Sequence, residues 1–340
     1  MGYVGSVLVP YLASLGGYEI HGFDLGYFER NLTGPCPEYF LAKQHRGDVR
    51  TFPEKLLENF DAVIHLAALS NDAMGVRFNS LTQEVNYQAS VRLAKLAKQA
   101  GVLRFVFASS CSVYGAAGDG SSRSEQDPTN PLTAYAKSKI LVEQDLKQLA
   151  SPDFQVSALR FATACGPSSR LRLDLVLNDF VATAITQKKI KIQSDGSPMR
   201  PLIHVRDMAR AMDWAVNRAG DNYLVLNIGS EIWNYSILEL AEHCKDLIPG
   251  VEIERNPAAL KDQRSYQVDF QKFKNLAPHH QPLRNIEMTV EALSRLCQNL
   301  DLTDRDKYVR LAVLNNYLSG GDLKDSFLRE SLSPSKLTLA

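Results

Sequence analysis

The chain has 340 residues, enough for one large or two moderate domains around a substantial core. Hydrophobic residues make up 45% and charged residues 22%, the balance of an ordinary soluble globular protein, and 38 basic residues are matched by 38 acidic ones. That neutrality excludes a general attraction to nucleic acid or to an anionic membrane, so any anionic ligand must be held by a few local groups.

The five cysteines (Cys36, Cys111, Cys165, Cys244 and Cys297) are odd in number, far apart and free of CxxC or other metal-type spacing. Free thiols in a reducing compartment are expected, and no metal site. No run approaches the ~18 apolar residues of a membrane span. The first residues also lack the charged-then-apolar pattern of a signal peptide, so a cytoplasmic location is the default expectation.

In chain order, Ser6 to Leu15 reads as a helix and Tyr18 to Asp24 as a strand, followed by strands at Ala62 to Leu66 and Arg104 to Ser109. These strands are nearly continuous in apolar residues, as strands buried on both faces of a parallel sheet must be. Helical patterns fill the intervals at Leu81 to Ala100 and Ala134 to Leu149. The alternation predicts an α/β fold with right-handed crossovers and a doubly wound, Rossmann-like parallel sheet. After Pro167 the pattern loosens into a helix (Asp174 to Thr186), a short strand (Lys191 to Gln193) and further helices (His204 to Asn217, Ile237 to Ile248). The expected organisation is a nucleotide-binding domain over 1–166, an interleaved substrate-binding region over 167–300, and a helical extension over 301–340 with a frayed end.

Tyr135-Ala136-Lys137-Ser138-Lys139 holds the most specific chemistry. A helix sets residues four apart on one face, so the Lys139 ammonium lies beside the Tyr135 phenol. A phenol ionises near ~10, and a neighbouring cation favours its charged form, which makes Tyr135 a candidate general base. In isolation the bland reading, a surface Tyr/Lys pair, weighs more. Upstream, however, a buried-type strand ends in Ser109-Ser110-Cys111-Ser112-Val113-Tyr114-Gly115, and a proline-bounded loop (Pro128, Pro131) leads into the tyrosine helix.

With these motifs the chain resembles the extended short-chain dehydrogenase/reductases, whose pattern is a strand, SS or ST, xxVYG, a loop and PxxxYxxSK. The resemblance implies a catalytic set of Ser110, Tyr135 and Lys139, with Lys139 also on the nicotinamide ribose. It also implies a nucleotide-linked sugar as substrate. Met1-Gly2-Tyr3-Val4-Gly5 resembles the last two glycines of the family's GxxGxxG, where a helix N-terminus faces the pyrophosphate. Asp24 ends the next strand nineteen residues after Gly5, where an acid accepts the adenosine ribose hydroxyls; it repels a 2′-phosphate, so NAD is expected rather than NADP. Asp48 and Val49, in Gly47-Asp48-Val49-Arg50, resemble the adenine-contacting loop. Leu66, Ala67 and Ala68 end a strand where small residues admit the dinucleotide. Asn86 matches a family asparagine that holds a neighbouring backbone, and Ser109 completes the expected cofactor set. His65 reads as a packed histidine.

On the substrate side, Leu159-Arg160 to Gly166-Pro167 resembles LRxxNxYGP, with Thr163 and Cys165 replacing the usual Asn and Tyr. Arg200 resembles the diphosphate-contacting arginine of the family, and Arg264 is a second candidate clamp, because guanidinium forks suit phosphate oxygens. Resemblance covers about residues 1–285. Family members often pair through the helices around 81–100 and 134–149, which leaves a homodimer open as the assembly.

No apolar strand or first glycine precedes Gly2. A strand of ~5–6 residues belongs at the centre of such a sheet. The expectation is therefore that Met1 is an internal methionine with about ten residues upstream, the alternative being a truncated relative that binds nucleotide without catalysis. Among reactions, 4,6-dehydratases of the family place an Asp-Glu pair directly after the catalytic Ser/Thr. Here Cys111 and Ser112 stand there, so epimerisation through a transient ketone is the leading expectation, with keto-sugar reduction and dehydration as alternatives. Cys111 is either a substrate-side acid/base thiol or a buried small side chain.

Overall fold

The computed structural model describes residues 1–70, 74, 77–116, 121–255 and 265–319. Its strands are β1 (His21–Asp24), β2 (Lys43–Arg46), β3 (Ala62–His65), β4 (Arg104–Ser110), β5 (Ser122–Arg123), β6 (Gln155–Phe161), β7 (Thr163–Cys165), β8 (Lys189–Ile192), β9 (Met199–His204), β10 (Tyr223–Ile228), β11 (Asn234–Ser236), β12 (Glu252–Arg255) and β13 (Gln267–Val268). The principal helices are α1 (Gly5–Leu15), α2 (Asn79–Thr82), α3 (Ala89–Gln99), α4 (Ala134–Leu149), α5 (Val176–Gln187), α6 (Val205–Asn217), α7 (Ile237–Leu247), α8 (Gln271–Leu276), α9 (Ile286–Gln298) and α10 (Arg310–Ser319).

The central sheet is parallel in the order β10-β6-β4-β3, and its side chains alternate between two apolar layers. Val106 and Leu159 meet Leu8 and Leu12 of α1 and Met212 of α6 on one face. On the other, Phe105, Phe107, Val156 and Ala158 meet Ala94 and Ala97 of α3 and Val142 and Leu146 of α4. Helices on both faces of a parallel sheet make the fold α/β and Rossmann-like. β1 and β2 form a separate parallel pair. The expected single sheet is therefore divided, with β1 and β2 paired apart from β3.

The rest of the chain is interleaved with this layer. α6 and β10 return to the main sheet, whereas α5, α7 and α9 enclose a second core around Leu177, Val181, Ile190, Leu240, Val290 and Leu293. Around it lie the β11-β9-β7 sheet and the β12-β8 and β13-β5 pairs. Two glycines have backbone reasons. Gly115 has φ +63° and a Cβ there would lie 1.8 Å from the Asn130 carbonyl oxygen; Gly166 has φ +103° and a Cβ there would lie 2.6 Å from His204 Nε2. They account for the glycine of Val113-Tyr114-Gly115 and for that of Gly166-Pro167.

The helix expected over 81–100 is subdivided. A π-helical turn, Gln83–Gln88, separates α2 from α3, and its wider winding sets the buried Asn86 against the loop after β3.

Candidate active site

The candidate groups gather at the carboxyl ends of the parallel strands, where α/β sheets bind ligands. α4 begins at Thr133, whose hydroxyl accepts the amide of Ala136 and so fixes where Tyr135 enters the helix. One turn on, Lys139 is 3% exposed, and its Nζ donates to the Ala108 carbonyl of β4 at 2.7 Å. The same ammonium lies 5.4 Å from the centre of the Tyr135 ring and 4.6 Å from that of Phe107. Burial pushes Lys139 down to about 7, with Glu143 acting against the shift. Ser110 ends β4, and its Oγ accepts the Ser112 amide at 3.2 Å to cap a tight turn over Cys111–Tyr114. At the junction of α4 with β4, Lys139 thus faces Tyr135 and reaches β4 at Ala108, two residues before Ser110.

Behind it lies a buried network that the sequence reading did not single out. Glu143 receives the Arg160 guanidinium in a fork (Nε to Oε1 3.1 Å, Nη2 to Oε2 2.7 Å), and Ser109 donates its hydroxyl to Oε1 at 2.5 Å. Arg160 continues to the Tyr114 oxygen at 2.9 Å, and Tyr114 lies 2.7 Å from Asn227 Oδ1. Spacing would have found Glu143, since it follows Lys139 by one helical turn on the same face.

On the cofactor side, α1 opens at Gly5 with no side-chain cap and no acid in its first turn, which leaves its positive end to an anion. Gly2 and Val4 form the turn before it. Asp24 ends β1 and accepts the Gly26 amide at 2.7 Å. Asp48 follows β2 and is gripped by Arg50, Nη2 to Oδ2 at 2.6 Å, with Arg50 Nη1 3.1 Å from Glu84. Leu66, Ala67 and Ala68 follow β3. Asn86 brackets the next residue, accepting the Leu69 amide at 2.8 Å and donating to its carbonyl at 3.0 Å. These positions suit a dinucleotide stretched along the strand ends.

Several assignments change. Cys111 is 1% exposed, donates to the Arg160 carbonyl at 3.1 Å and sits in the apolar core, where burial raises its thiol; it is a core side chain rather than a substrate contact. Val49 packs among Phe52, Leu57 and Leu93, and the Tyr3 side chain is buried with its hydroxyl donating to the Gly166 carbonyl at 2.7 Å. Those two residues offer a ligand only their backbones. Ser109 gives its hydroxyl to Glu143. Thr163 lies half-buried on β7. Arg200, on β9, donates to the Met199 carbonyl at 2.8 Å and lies 5.8 Å from the Tyr266 ring; Arg264 lies outside the described residues.

Sequence reasoning also missed Arg170 and Arg172, the arginines of Arg170-Leu171-Arg172-Leu173-Asp174 just after Gly166-Pro167. Arg172 forks onto Asp174 at 2.9 and 3.0 Å and donates to Ser70 at 3.0 Å, with its charge within the fields of Tyr3 and Tyr135. The alternating Arg-x-Arg-x-Asp pattern was the available signal.

His65 is a packed histidine. Its Nε2 lies 2.7 Å from Ser90 Oγ, which itself donates to the Asn86 carbonyl, and burial pushes it down to about 3. His204 is pushed down to about 4, also by burial. An unfolded imidazole takes its proton near ~6.5, so between about pH 6.5 and 4 the unfolded chain holds protons that the fold refuses. Stability should therefore fall with pH through that window. His65→Gln should make the acid side of a melting-temperature profile shallower; an unchanged slope would contradict this placement. Lys139 acts in a second window, because the folded amine releases its proton near 7 and the unfolded one near 10.5, so stability gains as pH rises between them.

A model of the NAD dependent epimerase/dehydratase family matches residues 1–229. The chain belongs to that family. The UDP-glucose 4-epimerase of Corynebacterium glutamicum is 26% identical over 84% of this chain and 91% of its own length. The low-salt glycan biosynthesis protein Agl12 of Haloferax volcanii is 29% identical over 81% of this chain and 89% of its own. Among solved structures, MoeE5 in complex with UDP-glucuronic acid and NAD is 28% identical, with a TM-score of 0.74 over 87% of this chain and 96% of that one. The hexosamine 5,6-dehydratase TunA, 24% identical with a TM-score of 0.78, shares the fold. As a member of this epimerase/dehydratase family the chain is an enzyme, and its cofactor is NAD. Among the described residues no helix is long and apolar enough to cross a membrane, and no cluster of metal-ligating side chains occurs.

Proposed function

We propose that the protein is a nucleotide-sugar epimerase that oxidises one sugar hydroxyl to a transient ketone and then restores it with inverted configuration. The observation supporting this most strongly is the α4–β4 junction, where Lys139 faces Tyr135 and reaches Ala108, two residues before Ser110, while positions 111 and 112 hold no carboxylate. Bound NAD supplies the acceptor that takes the hydride and gives it back. Ser110 holds the reacting oxygen by hydrogen bond, and Tyr135 removes its proton. Lys139 stabilises the phenolate and, in this reading, the nicotinamide ribose. When the ketone turns over in the site it presents its other face to the returning hydride, and Tyr135 returns the proton to its oxygen. Elimination of water would need an extra acid and base next to Ser110, where Cys111 is sealed in the core.

The substrate class rests on similarity to relatives named for UDP-sugars. Arg200, beside Tyr266 on β9, is the diphosphate clamp in this reading, with Arg264 as a second candidate clamp. A homodimer packed through α3 and α4 is the assembly it anticipates. Purified protein incubated with UDP-glucose, UDP-galactose or UDP-glucuronic acid should give the epimer with no added NADH. Stoichiometric consumption of NADH, or release of a dehydrated keto-sugar, would replace epimerisation by reduction or dehydration.

A further inference from the structure

We propose that the C-terminal helix α10 forms one wall of the adenosine end of the cofactor site, with Tyr317, paired with Tyr27, as the aromatic platform for the adenine. This rests on the NAD-binding reading and adds a residue far beyond position 229, where the match to the family model stops.

The helix is firmly anchored. Arg310, at its start, is 3% exposed, donates Nη2 to the Arg170 carbonyl at 2.7 Å, and lies 4.3 Å from the centre of the Phe28 ring. Just before it, the Lys307 carbonyl accepts Asn31 Nδ2 at 2.7 Å, and the Tyr308 carbonyl accepts the Leu173 amide at 2.9 Å. Two of these ties, to Phe28 and Asn31, go to the loop that follows β1, directly after Asp24.

Two turns further along α10, the Tyr317 ring lies 5.8 Å from that of Tyr27, inclined at 42°. Both rings line a cavity of about 280 Å³ together with Leu25, Gly26, Arg30 and Arg46, close to the smallest cavities of ~300 Å³ that hold small ligands. The position of this cavity makes it an adenosine site. Gly26 donates its amide to Asp24, and the Tyr27 phenol lies within the fields of Asp24, Asp48 and Arg50. The cavity therefore opens beside Asp24, the carboxylate assigned to the ribose, since Gly26, which lines it, donates to that side chain. Of the charged lining residues, Arg46 is paired with Glu29. An aromatic ring beside a purine is the usual platform for a base, because every base presents a π-face.

The test uses the full chain and titration calorimetry with three probes: NAD, AMP and UDP. Tyr317→Ala should weaken NAD and AMP by the same factor, roughly 5- to 150-fold for loss of one stacking partner, and leave UDP unchanged. Tyr317→Phe should stay within about two-fold of wild type. If the alanine variant does not fold, Tyr317→Leu, which keeps apolar bulk without the ring, serves for the same comparison. Wild-type affinity for AMP in the ring-less variant would overturn the proposal, as would a loss for UDP that tracks the loss for AMP. Wild-type protein that binds no NAD would overturn the cofactor reading itself, a distinct result.

Discussion

Replacing Tyr135 by Phe should lower turnover by about 10²–10⁴-fold while leaving NAD affinity and melting temperature close to wild type. In the proposed mechanism the phenol oxygen takes and returns the hydroxyl proton. Removing it deletes that path and keeps the ring that Lys139 faces at 5.4 Å. The loss should fall on kcat, because proton transfer belongs to the transition state rather than to binding. A Tyr135→Phe enzyme with undiminished kcat would remove the phenol from the mechanism. A variant that lost NAD as well would show that the hydroxyl is structural.

The second large effect is on stability. Glu143→Ala should cost about 3–5 kcal/mol of unfolding free energy, because it leaves the Arg160 guanidinium buried without its counter-charge. The pair is deeply enclosed: Glu143 is 5% and Arg160 6% exposed. Glu143 also holds the Ser109 hydroxyl and opposes the downward push on Lys139, so its loss reaches the residue next to Ser110 and the Lys139 ammonium. Replacing both partners with apolar residues, Glu143→Leu with Arg160→Met, should recover much of the loss, since neither charge is then stranded. Urea denaturation of the two singles and the double checks this. Additive losses, with the double worse than either single, would mean that the ion pair is not what costs energy to break.

Much of this architecture was legible. Apolar runs long enough only for strands marked β3, β4 and their neighbours, and helix spacing alone set Lys139 over Tyr135. Asn86 could be assigned as a backbone clamp, although the π-helical turn that aims it was invisible, because a one-residue widening leaves no periodic trace. Cys111 shows the limit of reading by position. Its place in the motif is next to Ser110, but its side chain points into the core, and sequence alone does not say which way. Arg172, Arg170 and Arg310 were missed for another reason: buried guanidinium groups look like surface arginines until the chain closes over them. Tyr317 was less readable still, since it meets Tyr27 only through a fold that joins the two ends of the chain.

The most direct test of the central claim is to follow deuterium placed on the sugar carbon that is inverted. If Tyr135, Lys139 and Ser110 serve a transient oxidation by tightly held NAD, the epimer formed without added cofactor should keep that deuterium on the same carbon. Loss of the label to solvent, or no interconversion by protein that retains NAD, would contradict the account.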